Sequence, residues 1–248
     1  MRKIAICLSK GGVGKTTTAI NLAHGVSLTG ARVLLVDSDT QGQSAKSLGI
    51  QAEVGLAELI CEKAKPEEAI VKARDNLWLL AGGRSLAGAK REIDRRAFGG
   101  EQALAEAMAP LEGNFDYVIL DTAPSLDILN INVLFYAEEI MTPVSPEVLC
   151  LQGVVDFQQS LEGVKRYHKE LELKYVLLTF YDLRVKKSRE IMKQLQFHYS
   201  DKLCGPIKYN VRLSEAPGYG QTIFEYAPNC SGAEGYRTLT ERVIKDGK

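Results

Sequence analysis

The chain contains no apolar run of membrane-spanning length, and its N-terminus leads straight into a strand-like segment, "KIAICL" (Lys3 to Leu8), so no cleavable leader is expected. Neither a membrane-spanning role nor export is expected. Cysteine is sparse. Cys7, Cys61, Cys150, Cys204 and Cys230 are odd in number, scattered, and form no Cys-x-x-Cys pair. That pattern argues against a disulfide framework or a zinc or iron–sulfur site, and for reduced thiols in cytoplasm. Linkers, repeats and low-complexity stretches are also missing, so residues 1–248 read as a single domain, and 45% hydrophobic content is enough for a sizeable core.

Net charge is absent too, but only in the sum. Residues 1–162 hold 15 Lys/Arg against 21 Asp/Glu, and residues 163–248 hold 16 against 10. An acidic part beside a basic part points to a polyanion partner for the latter, with ordinary solvated helix faces as the competing reading.

What is present alternates between strand and helix. "KIAICL" is followed by "KTTTAINLAHGVSLTG", in which Ala19, Leu22, Ala23 and Val26 recur at helical spacing up to Gly30. The apolar segments "RVLLVD", "LWLLAG", "DYVILD", "EEIMTPVS" and "KYVLLTFYD" come next, and "CGPIKYN" is expected as the last strand. Short apolar strands separated by helices predict an α/β fold, a doubly wound, mainly parallel sheet with helices on both faces.

Between the first strand and helix lies "LSKGGVGKTTT". Gly11, Gly12 and Gly14 allow a tight turn whose N–H groups, with Val13 and the positive end of the helix, converge on phosphate oxygens. Lys15 is placed to neutralise β- and γ-phosphates, the Thr16 hydroxyl to ligate Mg²⁺, and Thr17 follows in the same turn. The usual first glycine is Ser9, and a second lysine, Lys10, has no part in this scheme. Two strand ends are acidic as well. Asp121 closes "VILD", the position from which a carboxylate holds Mg²⁺ directly or through water, and Asp37 and Asp39 follow the second strand, with Gly42 leaving that segment free to move. Aspartates that merely cap turns are the alternative.

"KGGVGKTT", "VDSDTQG", "VILDTAPS" and "NVRLSEAPGYGQTI" together resemble the ParA/Soj family of partition ATPases, within the MinD-like group of P-loop NTPases with a deviant Walker A motif. The resemblance runs nearly end to end. It implies ATP and Mg²⁺ as cofactors and a homodimer in which Lys10 reaches the partner's nucleotide, with Gly12 at the close approach between subunits. Asp39 would orient the attacking water and, with Asp121, hold waters on the magnesium ion bound to Thr16, while Asn210 is a candidate for the adenine pocket. The family usually has proline where this chain has Thr40 and asparagine where it has Gln43, so a less stiff switch loop is expected.

The resemblance also implies a ParB-like partner that stimulates hydrolysis, non-specific binding to double-stranded DNA, and association with the nucleoid. For the DNA contact the sequence offers one helix, Lys186 to Tyr199. Lys186, Arg189 and Lys193 lie on one side, and Ile191, Leu195 and Tyr199 on the other. Arg184, Lys187 and Arg212 add to the basic stripe, and no aromatic interleaves with it, so phosphate contacts to a duplex are expected rather than base stacking. An N-terminal helix-turn-helix domain and a C-terminal membrane helix are not expected. A metabolic or metal-handling relative, an ATP-dependent amide ligase or an iron–sulfur carrier, is the alternative function.

Overall fold

The computed structural model describes residues 1–247. Its sheet has seven strands among those residues: β1 (Arg2–Ile6), β2 (Val33–Asp37), β3 (Ile70–Arg74), β4 (Leu77–Leu80), β5 (Tyr117–Asp121), β6 (Glu139–Val144) and β7 (Glu172–Leu178), in the spatial order β3-β4-β2-β5-β1-β6-β7. All neighbours are parallel except β3 and β4. Strands buried on both faces read as continuous apolar runs, and their side chains divide by parity between two cores. Leu34, Val36, Val118 and Leu120 point into one core; Val33, Leu35 and Ile119 point into the other.

The first core is covered by α3 (Leu56–Ile60), α5 (Leu86–Asp94), α6 (Ala103–Met108), α7 (Ile128–Tyr136), α8 (Val148–Lys165) and α9 (Lys186–Tyr199). The second is covered by α1 (Lys15–Ser27), α11 (Ile223–Tyr226) and α12 (Ser231–Lys245). Three short helices, α2 (Gln43–Ser47), α4 (Pro66–Ala69) and α10 (Arg212–Glu215), lie in the connections. Helices on both faces of a mainly parallel sheet are the expected doubly wound architecture. Among the described residues no helix is long and apolar enough to cross a membrane.

Two expectations need correction. "CGPIKYN" is not a continuous strand: isolated parallel bridges pair Leu203, just before it, with Val176 of β7, and Lys208 with Tyr181, just past β7. Pro206, between them, has no N–H to give to a ladder. The antiparallel edge strand β3 was not anticipated, because "IVKAR" is short and carries two cations, as edge strands do.

Register places the chemistry. Asp121 at the end of β5 stands beside Ile6 of β1 on one side and Asp37 of β2 on the other. The glycine loop leaves β1 at that row, so loop and carboxylates share the crevice at the strands' carboxyl ends.

Candidate functional site

Residues 8–14 turn from β1 into α1. Gly12 (φ 72°) and Gly14 (φ 86°) are left-handed, a conformation only glycine takes at low cost. Gly14 caps α1 without a side-chain hydrogen bond, which leaves the first N–H groups of the helix facing the loop. Thr179, just past β7, donates to the Val13 carbonyl (2.9 Å) and fixes the loop from the other side. A Cβ on Gly12 would meet nothing within 4 Å in this chain, so within one subunit its requirement is the backbone angle alone.

The two lysines behave differently. Lys15 is buried, and its Nζ donates to the carbonyls of Lys10 (2.7 Å) and Leu8 (3.2 Å), so it spans the loop from inside. Burial lowers its pKa, against the opposing charges of Asp121 and Asp39. Lys10 turns outward, and its Nζ meets Glu147 at 2.7 Å, at the start of α8. That pair is solvent-exposed and weakly held.

Behind the loop, Asp37 and Asp121 are both fully buried. Asp37 accepts from the backbone N–H of Asp39 (2.9 Å) and of Ser44 (3.0 Å), and Ser44 Oγ donates to Asp121 Oδ2 (3.0 Å). Asp121 Oδ1 has no hydrogen-bond partner. Burial, and then the charge of Asp37, push the Asp121 carboxyl far above the usual carboxylate range, with Thr16 and Ser44 opposing. Asp37 is raised chiefly by its own burial. An orphaned carboxylate oxygen beside the Thr16 hydroxyl suits a magnesium ion, which takes oxygen ligands and keeps waters and phosphates around it. Such an ion needs no dense protein cage, and no group of three or more His, Cys, Asp or Glu side chains able to hold a metal exists among the described residues.

Asp39 is half-buried and closes its own turn: Oδ1 accepts from Gln41 N (2.9 Å), and its carbonyl accepts from Gly42 N (3.0 Å) and Gly83 N (3.1 Å). The freedom expected of Gly42 is not found. A Cβ there would lie 3.1 Å from Gly83 Cα, and one on Gly82 only 2.5 Å from the Asp37 carbonyl. The segment is therefore packed against the loop after β4, and Asp39, rather than a proline, fixes its turn.

Thr16 and Thr17 form part of a cleft of about 150 Å³ beside α1, together with Gln43, Ser47, Leu213 and Gln221. Asn210 does not line it. Its Nδ2 donates to Ser231 Oγ (2.9 Å) and its Oδ1 accepts from Arg212 N (2.9 Å). On α9, Lys186, Lys187, Arg189 and Lys193 are exposed while Ile191, Leu195 and Tyr199 are buried. The stripe is less free than its spacing suggests: Lys186 pairs with Glu190 (3.7 Å), Arg184 with Asp182 (2.8 Å), and Arg189 donates to the Leu183 carbonyl (2.6 Å). Arg212 sits apart on α10, paired with Glu215 (2.9 Å). Of the cysteines, Cys7, Cys150 and Cys204 are buried, and burial pushes the Cys7 thiol up to about 12, which makes it inert.

Sequence reasoning missed Ser44, Glu147, Thr179 and the Gly82–Gly83 turn. Only the double glycine carried a local signal. The others matter through contacts that sequence spacing does not encode.

Because a raised carboxyl binds a proton when folded that it lacks when unfolded, Asp121 contributes fully below the unfolded value and loses that contribution as pH rises. Without nucleotide and magnesium, stability is expected to fall from pH 5 to 8 on this account. Asp121→Asn should flatten the decline and raise the melting temperature at pH 8 by roughly 5 °C, the equivalent of about 2 kcal/mol. Calorimetry of both proteins across that range checks it, and an unchanged slope contradicts it.

The model of a family described as an AAA domain matches residues 1–174. The chromosome-partitioning ATPase Soj of Thermus thermophilus is 41% identical over 246 residues, covering 98% of this chain and 96% of that protein. Among solved structures, the cobyrinic acid a,c-diamide synthase of Mycobacterium smegmatis with bound ATP analog and magnesium superposes with a TM-score of 0.86 at 32% identity, over 100% of this chain and 97% of that one. The septum site-determining protein MinD of Pyrococcus horikoshii complexed with Mg-ADP gives 0.84 at 25%, over 99% and 97%.

Proposed function

The chain belongs to the ParA/Soj family of chromosome-partitioning ATPases, and from that membership we propose that it is a single-domain, Mg²⁺-dependent ATPase that dimerises around ATP and positions DNA or other cargo. The observation that carries this reading is the division of labour between the lysines. Lys15 faces the inside of its own loop, while Lys10 leaves the same loop outward, held by one exposed carboxylate. A lysine so placed is available to a second subunit, and a cation that arrives only on assembly ties hydrolysis to the dimer.

Within each subunit, the N–H groups of residues 11–17 bind and orient the phosphates, and Lys15 neutralises them. Magnesium, when bound, would offset phosphate charge; the Thr16 hydroxyl would hold it, and Asp121 and Asp39 would hold waters on it. Asp39 is poised at the mouth of β2 to orient the attacking water. Asn210 is the proposed contact to adenine. Arg184, Lys186, Lys187, Arg189, Lys193 and Arg212 make non-specific contacts to duplex phosphates, and a ParB-like partner stimulates hydrolysis and releases the dimer. The protein then acts in the cytoplasm, on the nucleoid.

Two basic stripes on one dimer bind duplex DNA far better than one, because the second engagement is intramolecular. Binding to plain duplex DNA should therefore require ATP. With on the order of six phosphate contacts, affinity should fall about a thousandfold between ~50 and ~200 mM salt. Arg189→Glu should lose DNA and keep the dimer. Mobility-shift titrations with ATP, ADP and no nucleotide decide, and equal affinity in all three refutes the coupling. The likeness to the Mycobacterium synthase favours a second reading, ATP-dependent amide ligation. A ligase would bind no DNA in any nucleotide state.

A further inference from the structure

The cleft beside Thr16 and Thr17 has walls from distant parts of the chain. One is α2, and the other is the segment from Leu213 to Ile223. The walls meet at two glycines with left-handed backbones, Gly49 (φ 67°) and Gly220 (φ 66°). A Cβ on Gly220 would lie 2.9 Å from the Gly49 Cα, so no space remains between them.

Arg74, at the end of edge strand β3, lies across that seam. Its Nη2 donates to the Gly220 carbonyl (2.8 Å) and the Leu48 carbonyl (3.4 Å), and its Nη1 reaches the Leu48 carbonyl at 3.5 Å and the Ala73 carbonyl at 2.7 Å. The guanidinium also pairs with Glu225, Nε to Oε1 at 2.5 Å and Nη2 to Oε2 at 3.2 Å. One planar fork thus joins the Leu48 carbonyl, just past α2, to the Gly220 carbonyl within the other wall, a geometry a lysine cannot reproduce.

The far ends of the walls lead to functional groups. At one, Ser44 of α2 bonds to Asp37 and Asp121. At the other, α10 carries Arg212, immediately before Leu213 and the 3-10 turn Ala216–Tyr219 that ends at Gly220. α2 is only five residues long, so a displacement of Ser44 reaches Leu48 and Gly49 within about one and a half turns. We propose that Arg74 is a positioning residue that locks the two walls into one body, so that what binds at Thr16 and Asp121 sets the placement of Arg212. This rests on the reading of the loop as an ATP site and of Arg212 as a DNA contact. The element with two arrangements is the seam itself, closed when the fork spans both carbonyls and parted when it does not.

The test compares two substitutions in the full chain. Arg74→Lys keeps the charge and the pairing with Glu225 but cannot span both carbonyls. Glu225→Gln removes the ion pair and leaves the carbonyl bonds in place. The readouts are hydrogen exchange of the backbone amides of residues 212–221 with and without Mg-ATP, ATP affinity, and affinity of the ATP form for duplex DNA.

In the wild type, Mg-ATP should slow exchange in 212–221. Arg74→Lys should lose that response and about tenfold in DNA affinity, the worth of a misplaced phosphate contact or two, with ATP affinity unchanged. Glu225→Gln should behave as wild type. A wild type whose 212–221 amides ignore ATP, an Arg74→Lys protein that responds normally, or a Glu225→Gln defect as large as that of Arg74→Lys would each overturn the proposal. An exchange response that Arg74→Lys abolishes, in a protein that binds no DNA, would uphold the linkage and remove the DNA role instead.

Discussion

Lys15→Ala is expected to weaken ATP binding at least about a hundredfold, the equivalent of about 3 kcal/mol for charge-assisted contacts to phosphate in a buried site. No neighbour can substitute. Lys10 is turned to Glu147, and Lys46, the next lysine along the chain, is committed to the Gln41 carbonyl at 2.7 Å. The substitution also removes the two bonds from Nζ to the Leu8 and Lys10 carbonyls, so the melting curve of the variant must be recorded beside it. Titration with a fluorescent ATP analogue measures the effect. A folded Lys15→Ala protein with parental affinity would show that the loop does not hold phosphates through this side chain.

Lys10→Ala should do the opposite at the first step and the same at the last. The monomer should bind ATP nearly as before, because Lys10 makes no contact inside its own loop other than through its backbone carbonyl. Its fold should be undisturbed, since an exposed ion pair such as that with Glu147 contributes little stability. Dimerisation should be lost, and turnover should fall on the order of a thousandfold, as for a cation supplied in trans to developing phosphate charge. Sedimentation with ATP and a phosphate-release assay measure both. Gly12→Val is a poorer probe of the same interface. At φ 72° a β-branched residue is strained whether or not a second subunit is present.

Much of this site could be read in the sequence because its parts are local. A strand, three glycines, a lysine and a threonine are contiguous, and Asp121 announces itself by ending an apolar run. The α9 helix follows from its periodicity, with Lys186 and Tyr199 at its observed ends. What could not be read depends on pairings across the sheet. The contact between Asp37 and Asp121 needs the β2–β5 register, and Ser44 matters because α2 folds back over both. Glu147 and Thr179 reach the loop from the ends of other elements. Glu190 tempers the basic stripe although it is next to Arg189 in sequence, because helical spacing, not adjacency, brings it to Lys186. The edge strand β3 escaped for the converse reason: edges are kept polar and short, which removes the signal that marks a strand.

The central claim is that each active site takes one lysine from the other subunit, and mixing two inactive proteins tests it most directly. Lys10→Ala retains Asp39 and binds ATP but offers no lysine to its partner. Asp39→Ala offers Lys10 and should form a long-lived ATP dimer, yet lacks the carboxylate that orients water. In a mixed dimer, the nucleotide held by the Lys10→Ala subunit meets its own Asp39 and its partner's Lys10. Phosphate release by the two proteins combined before ATP is added should therefore reappear, although neither turns over alone. If the mixture forms mixed dimers, seen by sedimentation, yet stays as inactive as its components, Lys10 does not act across the interface.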